Sequence, residues 1–435
     1  MKKSKRVIAF LLVMLLALGM LFTSCGQKEA SDGEEKELEY EGVTLSLVMA
    51  KAWDTNGREP LLEKYTEKTG VKFDIQMLPD DMAGELIKTK FATNELPDII
   101  MNSGSVRQHT YMLPEEKLVD LTDEPWVDQM LSKESYMVDG KIWGIPLGGQ
   151  GYFTFAVNKK VFADNGLEIP NSKEELEQCF EVLKENGIQP MYLGAKDPWV
   201  VGNMTSGAMQ KALEKDPDLI EKINTNKIKY SEVPGFVEVL SDLREWNEKG
   251  YLGPNTMADS WDGEYEALAE GKCGVTVGLT TWDVILEERY PGMADNIEMI
   301  PFYIGDSDTF FAGTTAQWYI PNTGKHIDIV KDLFRFIAEQ ENLNEYYQAM
   351  GEASTPWKGI EADCLAPTKQ VVDKLTSGEY SYHFGHNNLV EGQDFEGLCK
   401  VAQEVLIGNM TAEEGAKAYD QMWEQIARAL GLEGF

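Results

Sequence analysis

The sequence predicts an α/β protein built as two lobes with a hinge and a cleft between them, and three observations carry that prediction. The chain is 435 residues long, more than one hydrophobic core usually organises. Strand-like and helix-like patterns alternate along most of it, as in βαβ units on a parallel sheet. Finally, two glycine-bearing stretches sit between apolar, strand-like runs, where the chain would cross from one sheet to another. The first lies in Asp139–Pro170, where Gly148, Gly149 and Gly151 separate Ile142–Leu147 from Tyr152–Val157. The second is Phe311-Ala312-Gly313-Thr314-Thr315, ahead of a strand over Gln317–Ile320. Glycines in such places absorb backbone rotation.

The N-terminus has a different character. Lys2, Lys3, Lys5 and Arg6 precede the apolar run Val7–Phe22 and then Thr23-Ser24-Cys25. The run is shorter than the ~18–20 residues of a membrane-spanning helix, and the pattern is that of an export signal over residues 1–24. LFTSC-G resembles the lipobox of bacterial lipoproteins, with Phe22 where Leu is usual. The resemblance implies that Cys25 becomes a lipidated first residue, and two or more acyl chains suffice for stable anchoring. Residues 25–40, polar and acidic, read as a flexible tether.

Charge narrows the partners. With 73 Asp and Glu against 40 Lys and Arg, the formal charge is −33. A surface this acidic repels phosphate backbones, so nucleic acid is excluded as a partner. Cys179, Cys273, Cys364 and Cys399 fall at no zinc spacing. Two disulfides or four separate thiols both fit an exported protein of this size.

Taken in order, Thr44–Met49 is a first strand. A helix follows from Pro60 to the stop at Gly70, with Leu61, Leu62 and Tyr65 on one face. Val71–Met77 alternates cleanly, Met82–Thr93 is a second helix, and Asp98–Met101 a third strand. Ligands of open α/β sheets bind past the carboxyl ends of the strands. That draws attention to Ala52–Asn56, where Trp53 stands among polar residues, and to Asn102–Ser105.

Beyond the first crossing, Asn158 opens a helix that stops at Gly166, and Ser172 with Glu175 forms a capping box for another. A strand over Met191–Leu193 and the loop bearing Trp199 come next, then a helix over Phe236–Lys249. Strands at Cys273–Val277 and Ile297–Phe302 flank a helix opening at Trp282-Asp283. An amphipathic helix covers His326–Gln340, and two helices, near Phe395–Ile407 and from Thr411 to about Leu430, end the chain.

No nucleophile elbow, zincin, Walker or complete EF-hand motif is present. His383-x-x-His386 lacks an indicated third ligand, and no pair among the carboxylates is marked as catalytic. No cofactor or metal is expected. The aromatics say more: Trp53, Trp199, Trp261, Trp282, Trp318 and Trp357 fall near predicted strand ends or in polar loops. Aromatic faces bordered by Asp, Asn and Gln suit a sugar, whose C–H face stacks while its hydroxyls need planar polar partners.

The segments LLEKYTEKTGVKFDI, NELPDII, DGKIWGIP, NKKVFADNGLEIPNSKEEL, EGKCGVTVG and KDLFRFIAEQENL, in this order behind a lipobox, resemble the sugar-type extracellular solute-binding proteins (family 1) of ABC importers. The similarity spans roughly Gly42–Leu430. It implies a two-lobed periplasmic-binding-protein-like (type II) fold that holds ligand between its lobes without catalysis. Lobe 1 would comprise 41–150 with about 315–360, and lobe 2 about 151–312 with 361–435.

By that resemblance the ligand-binding residues are Asp54, Asn102 and Ser103 on one lobe and Trp199, Trp282 and Phe395 on the other. Trp53 joins them from its loop, and Tyr152 and Gln150 from the crossing. Trp282→Ala is then expected to weaken binding while leaving the unliganded protein nearly as stable. The expected function is capture of a mono- or oligosaccharide by lobe closure and delivery to ABC permease subunits. The protein would act as a monomer, lipid-anchored to the cell membrane and facing the extracellular or periplasmic side. Two alternatives remain: a binder of peptide or amino acid, using Arg58 or Arg107 for a ligand carboxylate, and a secreted glycan-active enzyme.

Overall fold

The computed structural model describes residues 38–435 except 105–110, 132, 139, 149–150, 206, 208, 314, 353–354, 361, 381 and 385–393. Cys25, Arg107, His109, Gln150 and His386 therefore lie outside the described residues. In the unit Tyr40–Phe435, two sheets form, the first with an apolar cluster on each face and the second within a core of its own. The first contains β1 (Thr44–Ala50), β2 (Lys72–Leu78), β3 (Ile99–Ser103), β4 (Gly144–Pro146) and, much later in the chain, β10 (Ala316–Tyr319), in the order β2-β1-β3-β10-β4. The second contains β5 (Tyr152–Asn158), β6 (Gln189–Tyr192), β7 (Cys273–Leu279), β8 (Ile297–Ile300), β9 (Phe310–Ala312) and β11 (Tyr382–Phe384). Its path is β11-β9-β5-β7-β6, with β8 paired to β5.

The first sheet follows from local pattern. β1 pairs parallel with β2 and β3, because helices at Arg58–Thr69 and Ala83–Thr93 return the chain to the same end each time. Gly70 closes the first of these at φ 85°, a left-handed cap that only glycine adopts without strain. Leu61, Leu62 and Tyr65 are buried as their spacing predicts. β2 is an edge strand, so its alternation is only half used, and Met77 stays exposed.

The second lobe departs from the parallel layout. β6 and β7 are parallel, but β5 is antiparallel to β7, β8 and β9. The crossings explain this. A strand that enters a lobe from the crossing runs away from the cleft, while strands that end at the cleft run toward it. β5 therefore opposes β7 and β9, and by the same reasoning β10 opposes β3 and β4.

The crossing segments lie side by side. Gly148 N–H donates to the Ala316 carbonyl at 3.1 Å and Gly313 N–H to the Gly151 carbonyl at 2.8 Å. Neither Gly148 nor Gly151 is among the residues with positive φ. Close approach, rather than a special backbone angle, calls for glycine here. A Cβ on Gly148 would meet the Ala316 backbone nitrogen at 2.9 Å, and one on Gly151 the Leu279 side chain at 2.9 Å.

Ser172 Oγ accepts the Glu175 N–H, but the Glu175 carboxylate accepts from the Asn171 N–H rather than from Ser172, so that box is half made. Asn158 Oδ1 accepts the Val161 N–H, and Thr411 and Glu414 cap reciprocally. Helices Gln340–Met350 and Ala366–Thr376, and the shorter Gln210–Lys215, Leu219–Asn224 and Gly263–Ala269, were not anticipated, since their apolar residues are diluted by polar ones or their runs are brief. Trp318 and Trp357, grouped above with loop aromatics, are instead core residues of the first lobe. Trp357 Nε1 donates to the Pro146 carbonyl at 3.1 Å, and its ring meets Trp126 edge-on at 6.1 Å. All four described cysteines are free thiols, three of them buried.

Trp357→Ala should cost about 3–5 kcal/mol of stability, read as a lower urea midpoint at unchanged slope. A second expectation concerns Asp306, whose carboxyl is pushed up to about 6 by burial and whose Oδ1 has no hydrogen-bond partner. The folded state binds this proton more tightly than the unfolded chain does. Its contribution to stability is therefore full below the ordinary carboxylate range and lost as pH rises through about 6. Asp306→Asn should raise Tm at about pH 7.5 and lose that advantage near pH 4.

Candidate functional site

A cavity of about 340 Å³ lies between the lobes, bounded by the carboxyl ends of the first sheet, the two crossings and four helix starts of the second lobe. The first lobe contributes Trp53 and Asp54 after β1, Asp80 and Asp81 after β2, and Asn102 and Ser103 at the end of β3. β1, β2 and β3 are parallel, so all three ends lie on one edge. That rule placed the first and third loops in the cleft; applied to Lys72–Leu78 it reaches Asp80-Asp81 as well.

The second lobe presents a chain of rings. Trp199 packs on Trp261 with centroids 4.9 Å apart, Trp261 meets Tyr265 at 6.5 Å, and Tyr265 stacks on Trp282 at 4.6 Å and 16°. All four line the cavity. Trp261 and Tyr265, absent from the expected binding set, stand four residues apart around the start of helix Gly263–Ala269, on one face of a helical turn. That spacing was the available signal.

Two buried carboxyls hold this wall in place. Asp197 accepts the Trp261 N–H at 2.7 Å, and Glu264 accepts the Gly194 N–H at 3.0 Å. Trp199, expected in a loop, stands in the first turn of helix Pro198–Met204, and the segment leading into that helix is thus tied to the loop carrying Trp261. Burial raises the Asp197 carboxyl above its ordinary range and raises Glu264 far above it. Phe395 lies against Gly202, where a Cβ would meet the Cys399 sulfur at 2.3 Å and the Phe395 ring at 3.1 Å. Helices Pro198–Met204 and Phe395–Leu406 can approach this closely only because that position is bare.

Seven of the anticipated residues line the cavity: Trp53, Asp54, Asn102, Ser103, Trp199, Trp282 and Phe395. Tyr152 does not. It lies buried in β5, and the lining at that crossing comes from Gly151, Phe153 and Phe311 instead. Phe153 and Phe311, one from each strand beside the crossings, stack at 4.6 Å and 11°.

The first-lobe polar groups are already engaged. Asn102 Nδ2 donates to the Tyr111 hydroxyl at 2.8 Å and its Oδ1 accepts the Ser103 N–H at 2.9 Å. Asp54 accepts two bonds from Arg58, at 2.6 and 3.2 Å. Arg58, considered above for a ligand carboxylate, is buried, committed to Asp54 and not among the lining residues. Trp282 is only 1% exposed, so it supports the wall as well as facing the cavity.

The lobes also touch directly at the rim. Lys51 approaches Asp262 at 3.7 Å, Lys88 approaches Asp394 at 3.8 Å, and Lys400 approaches Glu85 at 3.3 Å. Asn56 Nδ2 donates to Glu288 at 3.0 Å. These contacts enclose the cavity. Among the described residues, no group of three metal-ligating side chains forms, and no helix is long and apolar enough to cross a membrane.

Comparison with known proteins agrees with this architecture. A family model described as bacterial extracellular solute-binding protein matches residues 61–371. The polygalacturonan/rhamnogalacturonan-binding protein YtcQ of Bacillus subtilis is 22% identical over 310 residues, covering 67% of this chain and 60% of that relative's length. The multiple sugar-binding protein of Streptococcus mutans is 20% identical over 369 residues, covering 83% of this chain and 85% of that one. A solved chitin oligosaccharide binding protein superposes with a TM-score of 0.75 at 21% identity, covering 89% of this chain and 99% of its own. The chain, with its two sheets, paired crossings and interlobe cavity, belongs to the bacterial extracellular solute-binding protein family.

Proposed function

We propose that this protein is the substrate-binding component of an ABC importer, that it captures a carbohydrate between its lobes, and that it delivers it intact to permease subunits. The observation that carries the reading is the cavity itself. One wall is a ladder of four aromatic rings, and the other is a set of carboxylates and amides on parallel strand ends. Rings accept the C–H face of a pyranose, and carboxylates accept its hydroxyl protons. The names of relatives in the family point the same way, toward polygalacturonan and rhamnogalacturonan in one and multiple sugars in another.

The mechanism is a population shift. Ligand must contact both lobes, because only differential affinity for the closed state moves the equilibrium. Lobe 1 (41–150 with 315–360) supplies the strand-end loops, and lobe 2 (151–312 with 361–435) supplies the rings. The rim ion pairs between exposed side chains add little on their own, so closure depends on the ligand. A lipid on Cys25 and the 25–40 tether would keep the receptor at the outer face of the membrane. The protein is a binder rather than an enzyme in this reading, and incubation with oligosaccharides should return them uncleaved.

The alternative of a peptide or amino-acid ligand requires a cation for the carboxylate, and the Arg58–Asp54 pair leaves Arg58 committed elsewhere.

A thermal-shift screen against mono- and oligosaccharides tests the proposal: a ligand at a hundred times its Kd should stabilise by about 2.7 kcal/mol. No shift with any saccharide would end the carbohydrate reading. Trp199→Ala and Trp53→Ala, at half-buried positions, should weaken binding at least about tenfold and barely alter the unliganded Tm. Trp282→Ala behaves differently from the sequence expectation. Its ring is buried and stacked on Tyr265, so it should also lower the stability of the unliganded protein, by about 3–5 kcal/mol.

A further inference from the structure

The charged side chains lining the cavity are almost all of one sign. Among the described residues, Asp54, Asp80, Asp81, Glu85, Glu352 and Glu396 face a single cation, Lys400. Asp54 is paired with Arg58 at 2.6 Å, and Glu85 with Lys400 itself at 3.3 Å. Lys51 stands in the field of Asp80 but reaches toward Asp262. Neither Asp81 nor Glu396 takes part in any ion pair recorded among the described residues. Glu396 is half-buried and lies across the cleft against Gly84 of the other lobe, where an added Cβ would meet its Oε1 at 2.5 Å.

A second, independent feature of the same cavity points to the ligand. Trp282 Nε1 is buried without a hydrogen-bond partner on a residue lining the cavity. One lone donor matches one hydroxyl or ring oxygen, and it is far short of the paired donors that recognise a carboxylate.

Resting on the carbohydrate reading, we infer that the cleft selects its saccharide by charge: it takes neutral or amine-bearing sugars and rejects uronic acids, with Asp81 and Glu396 as the residues that enforce the rejection. A uronate drawn into the cleft would lose water and meet the like charges of Glu396, which is half-buried, and Asp81, which is exposed. A neutral sugar faces no such opposition, because its hydroxyls donate to the same carboxylates. An ammonium on the ring gains from them. The distinction separates this chain from its galacturonan-binding relative, although both share the family scaffold.

The test is calorimetric titration of the folded protein with trisaccharides of equal length: cellotriose, xylotriose, galactotriose, chitotriose, its deacetylated amine form and trigalacturonate. A neutral or amine member should bind, with trigalacturonate at least about tenfold weaker at low salt. The gap should shrink in high salt and in Asp81→Asn and Glu396→Gln, each shown to melt like the parent. Trigalacturonate binding as tightly as the best neutral trisaccharide overturns the charge inference and leaves the carbohydrate reading standing. A gap unaltered in both variants overturns the assignment of the rejection to these two residues. Binding of none of these trisaccharides overturns this inference, whereas the carbohydrate reading falls only if the thermal-shift screen of mono- and oligosaccharides is blank as well.

Discussion

The structure depends on two strands of backbone lying against each other where the chain passes between sheets. Gly148 bonds to Ala316, and Gly151 to Gly313. The bare Cα of Gly148 lets the crossings come together, since a side chain there would strike the neighbouring backbone. From that contact the strand directions follow. Everything leaving the crossing opposes everything arriving at the cleft, so each lobe becomes a mixed sheet whose loops converge on a shared cavity. Phe153 and Phe311, stacked beside the crossing, make its inner surface.

The two walls of the cavity are built by different physics. On the first lobe the recognition groups come from strand ends, where parallel pairing puts three loops on one edge and makes polar side chains inevitable neighbours. Several already hold one another, as Asp54 holds Arg58 and Asn102 holds Tyr111. Such groups are pre-oriented, which lowers the entropic cost of binding. On the second lobe the wall is a stack of rings that also belongs to the hydrophobic core. Trp282 therefore serves stability and recognition together, and the two cannot be separated by deleting it. The buried Asp197 and Glu264 carboxyls lock the loops that carry the rings. Their burial favours the protonated forms.

Much of this was legible in the chain. Alternating patterns, glycine stops and caps located most of the strands and the longer amphipathic helices to within a residue or two, because each is a local preference repeated several times. The helix expected over His326–Gln340 stops at Ile337, however, and several shorter helices were missed. The crossings were visible because glycine runs between apolar strands are hard to reconcile with a packed core. Seven residues named from the family resemblance line the cavity. It did less well with Tyr152: a residue beside a crossing can face either side of its strand, and a shift of one position exchanges cavity for core.

What the amino-acid order could settle was which segments are helix or strand, where they begin and end, and that two sheets share the chain, since those rest on neighbours within a few residues. Exposure, charge balance and contact across the cleft belong to the folded molecule alone. Trp318, Trp357 and Trp199 are indistinguishable as tryptophans near strand ends, yet two are core and one faces the cavity. Arg58 looked available for a ligand until Asp54, one helical turn away, proved to hold it. Glu396 and Gly84 meet across the cleft although more than three hundred positions separate them in the chain. Such pairings arise only when distant segments are packed against one another, because burial and electrostatic fields depend on the whole surrounding structure rather than on the adjoining sequence.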